Sequence, residues 1–152
     1  MGKSAVIKHI NASWQNLIYS LEGLPESAYF HSGVCGTWSI RDILNHISTW
    51  EEEALSNIPL ILAGKPTPRY ASSGGISAFN TRAQQAKQAY SLQRIEQELT
   101  ATHQRFLDYL ASLPEACFVN NPRLIKRIRL DSYGHYAEHT AQICLWRSTR
   151  CL

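Results

Sequence analysis

The chain is predicted to be all-α, a single bundle of helices. Five segments repeat apolar residues at three- and four-residue steps, and no segment alternates apolar and polar positions long enough to make a strand. The length of 152 residues suits one domain spanning positions 1–152, and a chain of this size buries roughly 68–70% of its unfolded surface, so no disulfide or structural metal is needed for folding.

The first helix covers about residues 4–22, with Val6, Ile7, Ile10, Trp14, Leu17, Ile18 and Leu21 on one face, and Gly23 and Pro25 stop it. A loop follows, rich in small residues but carrying Tyr29, Phe30, His31 and Cys35, whose side chains either cover core edges or fold back over a cavity. Ser39 with Asp42 three residues on reads as a capping box, opening a helix to about residue 63 along Ile40, Ile43, Leu44, Ile47, Ala54, Leu55, Ile58 and Leu62. Pro59 is expected to kink it or end it early. Gly, Pro and Ser crowd residues 64–75, which makes that stretch a crossover loop.

Ile76, Phe79, Ala83, Ala86 and Tyr90 give the third helix, which Ser91 interrupts or recaps; the fourth runs from Leu92 through Leu99, Phe106 and Leu110 to Leu113. Asn120-Asn121-Pro122 reads as a turn. Arg123, Lys126, Arg127 and Arg129 then form a short basic run, read as a solvated edge that would attract anionic substrates if it lay near a cleft.

The last helix, over residues 131–146, carries the chemistry. His135, His139, Gln142 and Trp146 share one stripe, the rest of the circumference is mostly apolar, and only Asp131 and Glu138 are charged. Such a helix belongs inside a bundle, where two imidazoles need partners. One helical turn separates them by about 6 Å along the axis, which fits either shared binding of one metal ion or a pair of hydrogen-bonded core histidines. His46, on the flank of the second helix beside Trp50, is the candidate third imidazole. Glu51 falls near the centre of that helix's apolar face, where a carboxylate requires a partner, either an arginine from another helix or a site role. Glu52 and Glu53 are read as solvated, and His9 and His103 as surface histidines. Cys35 reaches the site only if its loop folds inward, and no Ser-His-Asp or Cys-His nucleophile arrangement is visible.

Composition narrows the partners. Fifteen basic against 12 acidic side chains give a net charge of +3, a balance that argues for no nucleic acid and no membrane surface. The start lacks an apolar signal region, and no apolar run approaches the roughly 18 residues a bilayer requires. Four cysteines without a C-x-x-C pair suit free thiols in a reducing, cytoplasmic setting.

Two motifs support a family resemblance. Trp38-Ser-Ile-Arg-Asp-Ile-Leu-Asn-His46-Ile-Ser-Thr-Trp50-Glu51 resembles the W-x-x-x-D-x-x-x-H-x-x-x-W-E signature of DinB-like proteins, and Tyr133-Gly-His135-Tyr-Ala-Glu-His139 resembles their second motif. With Phe79-Asn80 and the long loop before it, the chain is most similar to the ClbS/DfsB-like branch. The resemblance covers nearly the whole chain. It implies a DinB-like four-helix bundle of up-down-down-up order with a long crossover loop, and a divalent metal site formed by His46, His135 and His139. The metal would be Zn, Ni or Fe, since imidazole ligands suit each of these. Relatives include thiol-dependent transferases and isomerases that use bacillithiol or mycothiol, and a resistance protein that opens a strained cyclopropane ring. The functional expectation is therefore a metal-dependent enzyme acting on a small molecule, as a thiol-dependent transferase or a hydrolase, with a small thiol as cosubstrate. Glu51 and Glu138 are the candidates for general base or for orienting a histidine, and Trp50, Gln142 and Trp146 for substrate contact. The alternative is a non-catalytic binding or self-protection protein using the same cavity. A homodimer is expected because dimers are common in the family.

Overall fold

Each apolar periodicity in the sequence becomes a helix, and one further helix forms where the reading above expects a solvated edge. The computed structural model, which describes residues 1–152, contains α1 (Lys3–Ser20), α2 (Ile40–Leu62), α3 (Gly75–Ala86), α4 (Leu92–Ser112), α5 (Pro122–Asp131) and α6 (Tyr133–Arg150). Short 3-10 turns occur at Glu26–Phe30, Tyr70–Ser73 and Glu115–Cys117. There is no strand, only an isolated antiparallel bridge between Cys35 and Trp38. The four long helices α1, α2, α4 and α6 make the bundle: α2 packs on α4, α1 on α6, and the pairs close through α1 with α4 and α2 with α6. No helix is long and apolar enough to cross a membrane.

The capping box at the start of α2 forms as expected. The Asp42 amide donates to Ser39 Oγ at 3.2 Å and the Ser39 amide to Asp42 Oδ2 at 3.0 Å, satisfying two of the N–H groups a helix start leaves unpaired. Pro59 does not end the helix early. It lies on the exposed side of α2, and the helix runs on through it for three more residues to Leu62. α3 stops at Ala86, short of Tyr90, because two features compete for residues 87–91. The guanidinium of buried Arg41 takes the carbonyls of Lys87 and Tyr90, each at 2.7 Å, and Ser91 Oγ accepts from the Arg94 amide at 3.2 Å to start α4.

The core is one cluster running through all four bundle helices, with Val6, Ile10 and Leu17 from α1, Ile43, Ile47 and Ile58 from α2, Phe106 and Leu110 from α4, and Tyr136 and Ile143 from α6. α5 joins it through Leu124 and Ile128, both fully buried one turn apart. Asn121 Oδ1 caps α5 by accepting from the Leu124 amide at 3.1 Å, with Pro122 at the first helical position. Ser132 leaves the helical conformation between α5 and α6, and its hydroxyl donates back to the Ile128 carbonyl. The two helices pack closely here: a Cβ on Gly134 would lie 2.8 Å from the Arg129 carbonyl oxygen. This junction delivers Asp131 and His135 to the same side of the bundle.

Candidate metal centre

His46 comes from the first third of α2, and His135 and His139 from the first half of α6, one turn apart. Helix packing brings one ligand nitrogen from each to within 4.8 Å of the others. His139 Nε2 lies 3.0 Å from His135 Nε2. Ligand nitrogens at about 2.0–2.1 Å from a tetrahedral ion sit roughly 3.3 Å apart, so the spacing fits a shared ion.

The protonation states also fit. Burial, reinforced by the charge of His139, pushes His46 down to about 3. Burial and the two neighbouring histidines push His135 down to about 2. His139 is lowered by burial, partly offset by the Gln142 hydrogen bond and the Glu138 charge. All three rings are therefore neutral at pH 7, the form that ligates metal. Gln142 Oε1 lies 2.7 Å from His139 Nδ1. An amide oxygen only accepts, so the His139 proton sits on Nδ1 and its Nε2 lone pair faces the other two rings. His135 Nδ1 is buried without a partner.

The profile of the DinB superfamily matches residues 9–142 of this sequence. The chain belongs to the DinB superfamily. Among solved structures, it resembles DfsB, described as a sibling lethal factor precursor, with a TM-score of 0.79 and 18% identity over 99% of this chain and 97% of that one. An uncharacterised protein from Escherichia coli UTI89 gives 0.79 at 13% identity, covering 99% and 95% of the two chains. The colibactin self-resistance protein ClbS, solved in complex with double-stranded DNA, gives 0.77 at 15% identity, covering 99% and 97%. No curated protein matches in sequence. At these identities the likeness is one of fold, and it bears out the four-helix bundle of the ClbS/DfsB type.

The ClbS complex corrects the expectation of no nucleic-acid partner, since a protein of this fold is seen with duplex DNA. Net charge was the wrong quantity. A whole-chain balance of +3 averages away the local cations of α5, where Arg123, Lys126 and Arg129 are all exposed.

Within this DinB-superfamily chain, the expected carboxylates lie elsewhere. Glu51 is fully buried but sits about 140° around α2 from His46. Its Oε1 accepts from the Tyr136 hydroxyl and lies 2.8 Å from His103 Nδ1. The partner is therefore His103, and the expected arginine is absent from this network. Burial raises the Glu51 carboxyl, with the bonds from His103 and Tyr136 pulling it back. His103 is not a surface residue: it is 6% exposed and stacks face to face on Trp14 at 3.5 Å. A helix wheel of α4 already carries this signal, since His103 lies four residues after Leu99 and three before Phe106 on the apolar face, although the aromatic that covers it comes from α1. Glu138 is exposed and reaches the cluster through its charge alone. Glu53 is half-buried, accepting from Tyr70 Oη at 2.6 Å.

Trp50 does line the cleft beside the histidines, its indole N–H donating to Asn80 Oδ1 at 2.9 Å. Gln142 orients His139, and Trp146 packs into the core, so neither is among the residues of that cleft. The loop before α2 folds inward: the Trp38 ring lies 4.6 Å from His46, and Gln142 is near enough to Cys35 to pull its thiol down against the raising effect of burial.

The cleft, about 240 Å³, also contains a group the sequence did not single out. Asp131 is 2% exposed and its Oδ2 lies 3.1 Å from Arg127 Nε, close but not aligned as a hydrogen bond. Burial raises its carboxyl to about 7, against the lowering effect of Arg127. The Asp131 and Arg127 spacing of one helical turn was the available signal, but it becomes readable only once α5 is seen to be a helix.

Proposed function

We propose that the chain is a metal-dependent enzyme acting on a small molecule, with His46, His135 and His139 holding one divalent ion, Zn, Ni or Fe. The observation that carries this is the convergence of three neutral, largely buried imidazoles within 4.8 Å, drawn from two helices. Three ligands leave a coordination position open, and an ion bound there would make water or a thiol more acidic and nucleophilic. The surrounding residues have their own tasks. Gln142 holds the His139 tautomer, Trp50 and Asn80 fix one wall of the cleft, and Asp131 places a carboxyl able to take up or release a proton near neutral pH beside the substrate space. A small thiol as cosubstrate, bound in that cleft, is part of the proposal. The four free cysteines suit a reducing, cytoplasmic setting.

A second reading, self-protection by sequestering a small molecule, draws on the aromatic side of the cleft, where Trp50 packs at 5.2 Å against Phe79 and 5.4 Å against Tyr70. Duplex DNA is a partner to test in either case. Elemental analysis of the purified chain separates the readings: near-stoichiometric divalent metal, followed by thiol-dependent turnover that a chelator abolishes, supports the enzyme. Absence of metal after growth and purification in supplemented medium contradicts it.

A further inference from the structure

A second cleft, about 370 Å³, opens between α5, the end of α2 and the crossover loop. Ile61 and Leu130 give it apolar surface, Thr67 contributes a hydroxyl, and Arg123, Lys126 and Arg127 bring three cations; no carboxylate lines it. Only Arg127 has a carboxylate within ion-pair distance, Asp131 at 3.1 Å. Arg123 is held to the crossover loop by one bond, from Nη2 to the Lys65 carbonyl at 3.2 Å, leaving its other N–H groups free. Three like charges lining one small cleft repel each other and favour an anion between them.

Arg127 and Leu130 also line the cleft that contains His46 and His135, so the two spaces adjoin along α5. We propose that the cleft of Arg123, Lys126 and Arg127 binds the anionic group, phosphate or carboxylate, of a small substrate whose reacting part lies at the three histidines. The location of the reacting part rests on the function proposed above; the anion site does not. Guanidinium groups take either oxyanion through paired N–H donors, and Lys126 adds a mobile point charge. The apolar strip of Leu130 between the clefts suits an uncharged linking portion.

The test titrates the full chain, stripped of metal with a chelator, with inorganic phosphate and separately with acetate, following backbone amide resonances. Saturable shifts confined to Thr67, Arg123, Lys126 and Arg127 are expected, and the preferred anion identifies the group. In Arg123→Gln/Lys126→Gln, both exposed positions outside the core, affinity should fall roughly tenfold or more, as expected for loss of charge-assisted hydrogen bonds. Shifts that do not saturate, an unchanged response in the double variant, or a response to duplex DNA alone overturn the proposal. Loading cobalt(II) at the histidines then tests the link. Bound phosphate should show enhanced phosphorus relaxation in the native chain, and its absence with cobalt present, as seen in the cobalt absorption bands, places the anion elsewhere and contradicts the shared groove. Failure of cobalt to bind, with phosphate still binding, counts against the metal centre and leaves the anion site standing.

Discussion

At the scale of single residues, what distinguishes His139 from an ordinary core histidine is its partner. Gln142 fixes one ring nitrogen as donor and so turns the lone pair of the other toward His135. Gln142→Ala is expected to weaken metal binding by about 10–100-fold, the usual cost of losing an orienting neighbour, with little change in helix content; competition against a chelating dye measures it. Asp131 gives a pH signature. Its carboxyl is raised from 3.8 to about 7 in the folded chain, so the fold binds that proton more firmly than the unfolded chain does. Its contribution to stability is complete at low pH and is lost as pH rises from about 4 through 7. Asp131→Asn should remove that decline, leaving the variant more stable than the native chain at pH 8 relative to their difference at pH 4, as read from urea midpoints at the two values. The three histidines were legible because their spacing and wheel positions are local properties. Glu51 was legible as a buried charge, but its partners were not: His103 and Tyr136 come from α4 and α6, distant in sequence.

At the scale of elements, five of the six α-helices follow from apolar spacing. α5 was hidden because its four cations dominate the segment, although Leu124, Ile125 and Ile128 keep a helical interval and Asn121-Pro122 is a usable start signal. α5 forms the wall shared by both clefts, through Arg127 and Leu130. The α5 to α6 junction makes a prediction whose sign is decisive. Replacing a helical glycine by alanine ordinarily stabilises by about 1 kcal/mol. At Gly134 the added Cβ would meet the Arg129 carbonyl oxygen at 2.8 Å, backbone that yields only if α6 shifts away from α5. Gly134→Ala should therefore destabilise the chain, by about 1–3 kcal/mol for such overpacking, and weaken metal binding by displacing His135. Chemical denaturation gives the sign directly.

At the scale of the whole molecule, the bundle was legible because each long helix has one apolar face, and four such faces close on a single core. The partners were less so, because a net charge carries no information on where the cations lie. Exposed Ile18 and Tyr19 on α1 and Leu145 on α6 offer apolar surface on two helices that pack together, and a homodimer is expected; light scattering that gives a mass near 17.2 kDa at micromolar concentration rejects it. The central claim is that three histidines from α2 and α6 form one metal centre. Calorimetric zinc titration of the native chain, His46→Ala, His135→Ala, His139→Ala and exposed His9→Ala tests it most directly. The account predicts one site per chain, retained in His9→Ala and weakened at least about 100-fold in each of the other three, because two imidazoles hold only part of the coordination shell. Equal affinity in all five proteins would show that the cluster is a set of buried histidines and not a metal site.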